Sequence, residues 1–125
     1  MITPEQIAKS GSEHANQVAL FAWCASSGIS ELRCLFAIPN GEQRSAITGA
    51  KLKAAGTKAG IPDIFLPIAR NGFHGLWIEL KIKTGVVSEK QHQWLVLLAE
   101  QGYATRVCFG WEEARDALLE YLGKI

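Results

Sequence analysis

Residues 75–82 alternate between two faces along the chain. Leu76, Ile78, Leu80 and Ile82 fall on one side, and Trp77, Glu79, Lys81 and Lys83 on the other. A period of two over such a run predicts a strand with one apolar face. Residues 32–38 are predicted as a second strand closed by the turn signal Pro39-Asn40-Gly41, and residues 63–68 as a short third, which Pro67 restricts to an edge or ends early. Residues 103–109 supply a fourth.

Between them the period changes to that of helices. Residues 12–27 predict a helix capped by Ser12 and stopped by Gly28, with Ala15, Val18, Ala19, Ala22 and Trp23 in helical register. Leu20, Phe21 and Cys24 extend its apolar surface around nearly the whole circumference. Such a helix is buried on several faces or sits in an interface, and we expect a homodimer through it; the alternative is cover from the last helix, through Leu118, Tyr121 and Leu122. Residues 43–55 predict a basic helix. The strongest helix is 89–101, where Ser88 and Gln91 form a capping box, Trp94, Leu95 and Leu98 a stripe, and Gly102 the stop. Residues 112–122 close the chain with a further helix. The order α-β-α-β-β-α-β-α describes one mixed α/β domain over 1–125, a small central sheet flanked by helices.

Composition changes this picture little. The 125 residues are 48% hydrophobic and 20% charged, which suits a globular chain and excludes collagen-like or disordered classes. No apolar run approaches the roughly 20 residues of a membrane helix, and the first residues carry no signal pattern, so an intracellular, cytoplasmic protein is expected. Cys24, Cys34 and Cys108 are odd in number and form no Cys-x-x-Cys, which argues against zinc or a disulfide framework and for small buried hydrophobes. Charge matters more by position. Residues 41–90 hold eight basic and four acidic side chains, while the rest holds five and eight. A chain of net charge +1 thus has a basic half that can face a polyanion.

The chemistry centres on two strands. If 63–68 and 75–82 pair as a hairpin, Asp63 meets Glu79. Two carboxylates at a sheet edge repel unless a cation lies between them, and hard oxygen ligands with room for water suit Mg²⁺. Lys81 shares the face of Glu79, where it can orient an attacking water or offset charge developing on phosphate. The bland alternative is a half-exposed Glu-x-Lys pair whose stems Trp77 covers. Trp23, Trp77, Trp94 and Trp111 are expected in the core, and His14, His74 and His92 show no ligand spacing.

Pro62-Asp63 followed by Glu79-Leu80-Lys81 resembles the signature of PD-(D/E)xK nucleases, and its setting resembles one branch, the virus-type replication-repair nuclease (VRR-NUC) domain. The supporting context is Glu13 on the first helix, Pro39-Asn40-Gly41 before a basic helix, the run Gly56-Thr-Lys-Ala-Gly-Ile-Pro-Asp63, and Ser88, Gln91 and Trp94 after Lys81. The resemblance spans roughly residues 12–110. It implies a restriction-endonuclease-like fold and Mg²⁺- or Mn²⁺-dependent endonucleolytic hydrolysis of DNA, leaving a 5′-phosphate and a 3′-hydroxyl. Asp63, Glu79 and the Leu80 carbonyl correspond to metal ligands, Glu13 to the first-helix acid, and Lys81 to the catalytic lysine. Gln91 falls where related nucleases place a polar residue near the site, although its capping box explains it locally. Glu13 likewise has a local explanation, an acid complementing its helix dipole. Arg44, Lys51, Lys53 and Lys58 become candidate phosphate contacts to DNA. Stand-alone members of this family resemble dimers acting on branched DNA such as four-way junctions, in phage-type replication, recombination and repair. The residues leave open a non-catalytic DNA-binding module with a nuclease fold, and a restriction-type or single-strand-specific nuclease.

Overall fold

The computed structural model describes residues 1–39 and 46–125, with residues 46 and 47 described by backbone alone. A short helix α1 (Pro4–Ile7) opens the chain, capped reciprocally by Thr3 and Gln6. It is followed by α2 (Glu13–Ser26), whose cap Ser12 accepts from the Ala15 amide at 3.0 Å. After β1 (Phe36–Ala37) come α3 (Ala46–Ala54), β2 (Ile64–Leu66) and β3 (Leu76–Lys81). Helix α4 (Glu89–Glu100), β4 (Ala104–Phe109) and α5 (Trp111–Tyr121) complete the order. Among the described residues no helix is long and apolar enough to cross a membrane.

The four strands lie in the order β1-β2-β3-β4, the first two pairings antiparallel and β3-β4 parallel. This is the mixed sheet flanked by helices that the sequence predicts. One face is the core. Leu76, Ile78 and Leu80 of β3, with Ile64 and Leu66 of β2, are fully buried in a cluster with Leu20 of α2 and Ala114 and Leu118 of α5. The opposite face carries Phe65 stacked on Trp77 at 4.2 Å, and beyond Trp77 the side chains of Glu79 and Lys81. Alternation along β3 therefore separates core from chemistry within six residues.

One expectation changes. The region predicted as a strand over 32–38 is a 3₁₀ turn, Ser30–Cys34, before the two-residue β1. Leu32 and Leu35 are its buried positions, a spacing of three where a strand needs two. The basic helix is described over Ala46–Ala54, with Ala55 in a turn; residues 43–45 of its predicted span, like the Asn40-Gly41 turn, lie outside the described residues. Part of the apolar circumference of α2 finds cover within the chain, Ala19 and Leu20 fully and Phe21, Trp23 and Cys24 by half. Besides α5, the N-terminal segment packs on it through Ile7 and Ala8, leaving Val18 exposed. Asn16 on α2 adds a polar tie: its Oδ1 accepts from the Trp111 amide at 3.0 Å, satisfying an orphan donor at the start of α5.

Candidate active site

The site is built where β2 and β3 begin to separate. The register Ile64↔Ile78 puts Asp63 one step beyond the last pair, level with Glu79. Asp63 is fixed twice. Its carbonyl accepts from the Ile38 amide at 2.7 Å, and its Oδ2 accepts from the Leu80 amide at 2.9 Å. The second bond stretches the carboxylate across to the strand that carries Glu79. At the far end of β3 the Lys81 carbonyl accepts from Gly110 at 2.8 Å, which ties the strand to the start of α5.

Glu79 is 1% exposed. Its Oε2 accepts from Gln91 Nε2 at 3.2 Å and stands 3.7 Å from Lys81 Nζ. Its Oε1 is buried with no hydrogen-bond partner. Burial, then the close carboxylate of Asp63, push the Glu79 carboxyl up to about 9; Lys81 pulls the other way, and the field of Glu13 adds to the rise. Without a cation, Glu79 therefore holds a proton at neutral pH.

Gln91 caps α4 and contacts Glu79 at the same time. Its Oε1 accepts from the Ser88 amide at 2.8 Å, while Ser88 Oγ caps the Gln91 amide. With the oxygen occupied by the cap, the amide nitrogen is turned toward Glu79. Glu13, in the first turn of α2, lines a cleft of about 240 Å³ with His14, Asp63 and Leu80. Among the described residues, however, no three acidic, histidine or cysteine side chains stand in ligating geometry. The structure thus assembles Asp63, Glu79, Lys81 and Gln91, with Glu13 facing the same cleft.

A cation fits this arrangement. The buried Oε1 of Glu79 has no proton donor, and a second carboxylate is held beside it. One or two carboxylates completed by carbonyl and water oxygens are an ordinary Mg²⁺ environment.

Asp63 also borders a second, larger pocket of about 610 Å³ between α3, the 57–61 loop and α4. Lys53 and Lys58 line it; Lys51 is exposed outside the lining, and Arg44 lies outside the described residues. Lys90 and Trp94, one turn apart on α4, line it too. Neither stands out as a site residue from the sequence alone: Lys90 is one charge among many, and Trp94, expected in the core, is only half-buried. Their spacing of four on a helix was the available signal. The loop presses closely on α4. A Cβ at Gly60 would come within 2.8 Å of the Lys90 backbone, and Gly60 has a φ of +92°, so only glycine fits there without strain.

The remaining expectations divide. Trp111 is core, while Trp23 and Trp77 are half-buried. Cys24 and Cys108 are sheltered, and burial pushes their thiols up to about 12 and about 11, but Cys34 is exposed, since the 3₁₀ turn points it outward.

A family model described as the VRR-NUC domain matches residues 4–111. A solved structure described as a VRR_NUC domain protein superposes with a TM-score of 0.78 at 26% identity, over 89% of this chain and 88% of that one. No curated protein matches the chain.

Proposed function

Since this chain belongs to the VRR-NUC domain family, with a nuclease-type fold and a DNA-related function, we propose that it is a Mg²⁺- or Mn²⁺-dependent endonuclease that hydrolyses DNA phosphodiester bonds. The observation that carries the reading is the unpartnered, buried Oε1 of Glu79 beside the oriented carboxylate of Asp63. Asp63 and Glu79 would hold the cation, with the Leu80 carbonyl as a further ligand and Glu13 acting from the cleft wall. A bound divalent cation supplies a water nucleophile at neutral pH and neutralises charge on the phosphate.

The chain's own residues do the rest. Gln91 fixes the Glu79 carboxylate in one orientation through a bond that its cap leaves no freedom to reverse. Lys81, buried on the same face, presents its ammonium to the reacting phosphate, where it offsets developing negative charge or orients the nucleophile. Lys53 and Lys58, with Lys51 beside them and Arg44 on the same sequence segment, position the DNA backbone without reading its sequence. The substrate we propose is branched DNA, such as a four-way junction of phage-type replication, recombination or repair, cut by a homodimer whose two-fold axis matches that of the junction.

The test is a cleavage panel of flap, fork, four-way junction, linear duplex and single-stranded DNA, with Mg²⁺ or with chelator. Metal-dependent cutting strongest on the branched substrates supports the proposal. Binding without cutting under any divalent cation would leave only a DNA-binding module.

A further inference from the structure

The pocket at Asp63 has more chemistry than a phosphate track needs. Among the described residues its lining includes Leu52, Trp94 and the cations Lys53, Lys58 and Lys90, with Asp63 as its only acid. The lining therefore combines a carboxylate of the proposed cation site, positive charges that attract anions, and an indole on which a planar group can stack. An anion with a planar apolar group matches all three. At about 610 Å³ the pocket falls in the range of roughly 300–1,000 Å³ that encloses a small organic molecule. It suits one nucleotide rather than a stack of base pairs. Within a duplex the faces of each base are covered by its neighbours, so only an unpaired or extruded base can lie against Trp94.

From this geometry we infer that the α3–α4 pocket receives a single unpaired nucleotide next to the phosphate to be cut, its base on Trp94 and its phosphate among Lys53, Lys58 and Lys90. The inference rests on the nuclease reading for its orientation toward Asp63, and it narrows the substrate to DNA whose nucleotide at the cut site is unpaired or can be extruded from its pair, as at a branch point. Gly60 is what allows the wall to close. Its lack of a side chain lets the loop that carries Lys58 lie against the backbone of Lys90.

The test measures binding in chelator, where cleavage does not enter. The probes are a duplex with a short single-stranded overhang, carrying the fluorescent base 2-aminopurine at the first unpaired position, and the matching blunt duplex. Wild-type protein should bind the overhang more tightly and quench the probe by stacking. Trp94→Ala should abolish the quenching and weaken overhang binding about tenfold, the order expected for one stacked base, while blunt binding changes less than twofold. Trp94→Phe should restore most of both effects. Lys90→Gln, which removes only an exposed charge, should weaken overhang binding more than blunt binding and keeps the test open if Trp94→Ala fails to fold. Equal losses on both probes, or quenching that survives Trp94→Ala, would overturn the pocket assignment. Cleavage by wild type in Mg²⁺ is scored separately. Trp94-dependent quenching without any cleavage removes the nuclease reading and keeps the pocket; cleavage without such quenching does the reverse.

Discussion

Glu79 is the residue on which the account turns, because its environment is unfavourable to the charge it must carry. Its carboxyl is raised from the ordinary carboxylate range to about 9, chiefly by burial and then by Asp63. A folded-state value above the unfolded one contributes stability that is fully present below the unfolded value, near 4.5, and is lost as pH rises through about 9. Cation-free protein should therefore lose thermal stability across that window relative to Glu79→Gln, which carries no charge to expose. Saturating Mg²⁺ should reverse the trend, raising the wild-type midpoint more at pH 9 than at pH 6 and leaving Glu79→Gln nearly unmoved; melts across pH with and without metal check both. Lys81 makes a different prediction. Its ammonium is argued to act on charge that develops only as the bond breaks. Lys81→Met should lower the single-turnover rate at least a hundredfold with DNA affinity within twofold of wild type. A loss of affinity with the rate unchanged would make Lys81 a phosphate clamp.

Helix α4 shows how an element, rather than a residue, prepares the site. Its Ser88–Gln91 cap both ends the loop after β3 and aims Gln91 at Glu79. Ser88→Ala should cost about 1 kcal/mol of stability, the usual value of an N-cap, and also lower the cleavage rate, because losing the bond from the Gln91 backbone amide to Ser88 Oγ loosens the first turn of α4, which carries the Gln91 side chain. A capping role alone predicts the first effect without the second, so denaturation and cleavage must be measured together. This cap was legible in the sequence, as was β3, because each signal is local: a four-residue motif and a strict alternation. Asp63 and Glu79 were legible as a pair only through the hairpin that joins their strands. The errors have physical causes of the same kind. Leu32-Arg33-Cys34-Leu35 has β-like composition, yet its apolar spacing is that of a 3₁₀ turn. Helix α1, capped reciprocally by Thr3 and Gln6, has only four residues, too few to show a hydrophobic period. The pocket wall of Lys90 and Trp94 depends on how close the Gly60 loop comes to α4, a tertiary contact that no local pattern encodes.

At the scale of the whole molecule, the chain separates its tasks by sheet face. α2 and α5 cover one face as core, and α4 meets the other at the acids. The surface left for a second copy is narrower than the α2 sequence implies: exposed Val18 and a groove of about 540 Å³ that includes Phe21, Ile29 and Leu35. The proposed homodimer predicts a sedimentation mass twice the 13.7 kDa of one chain at micromolar concentration. A monomer mass with junction cleavage retained would remove the symmetry argument. Both faces and any dimer serve one centre, and the direct measurement of that centre is cleavage by Asp63→Asn. Asparagine keeps the size of the side chain and an oxygen to accept the Leu80 amide, but removes the negative charge. The account predicts an unchanged circular dichroism spectrum, retained DNA binding, and single-turnover cleavage in Mg²⁺ reduced at least a thousandfold from wild type. Cleavage by a folded Asp63→Asn protein at the wild-type rate would contradict it.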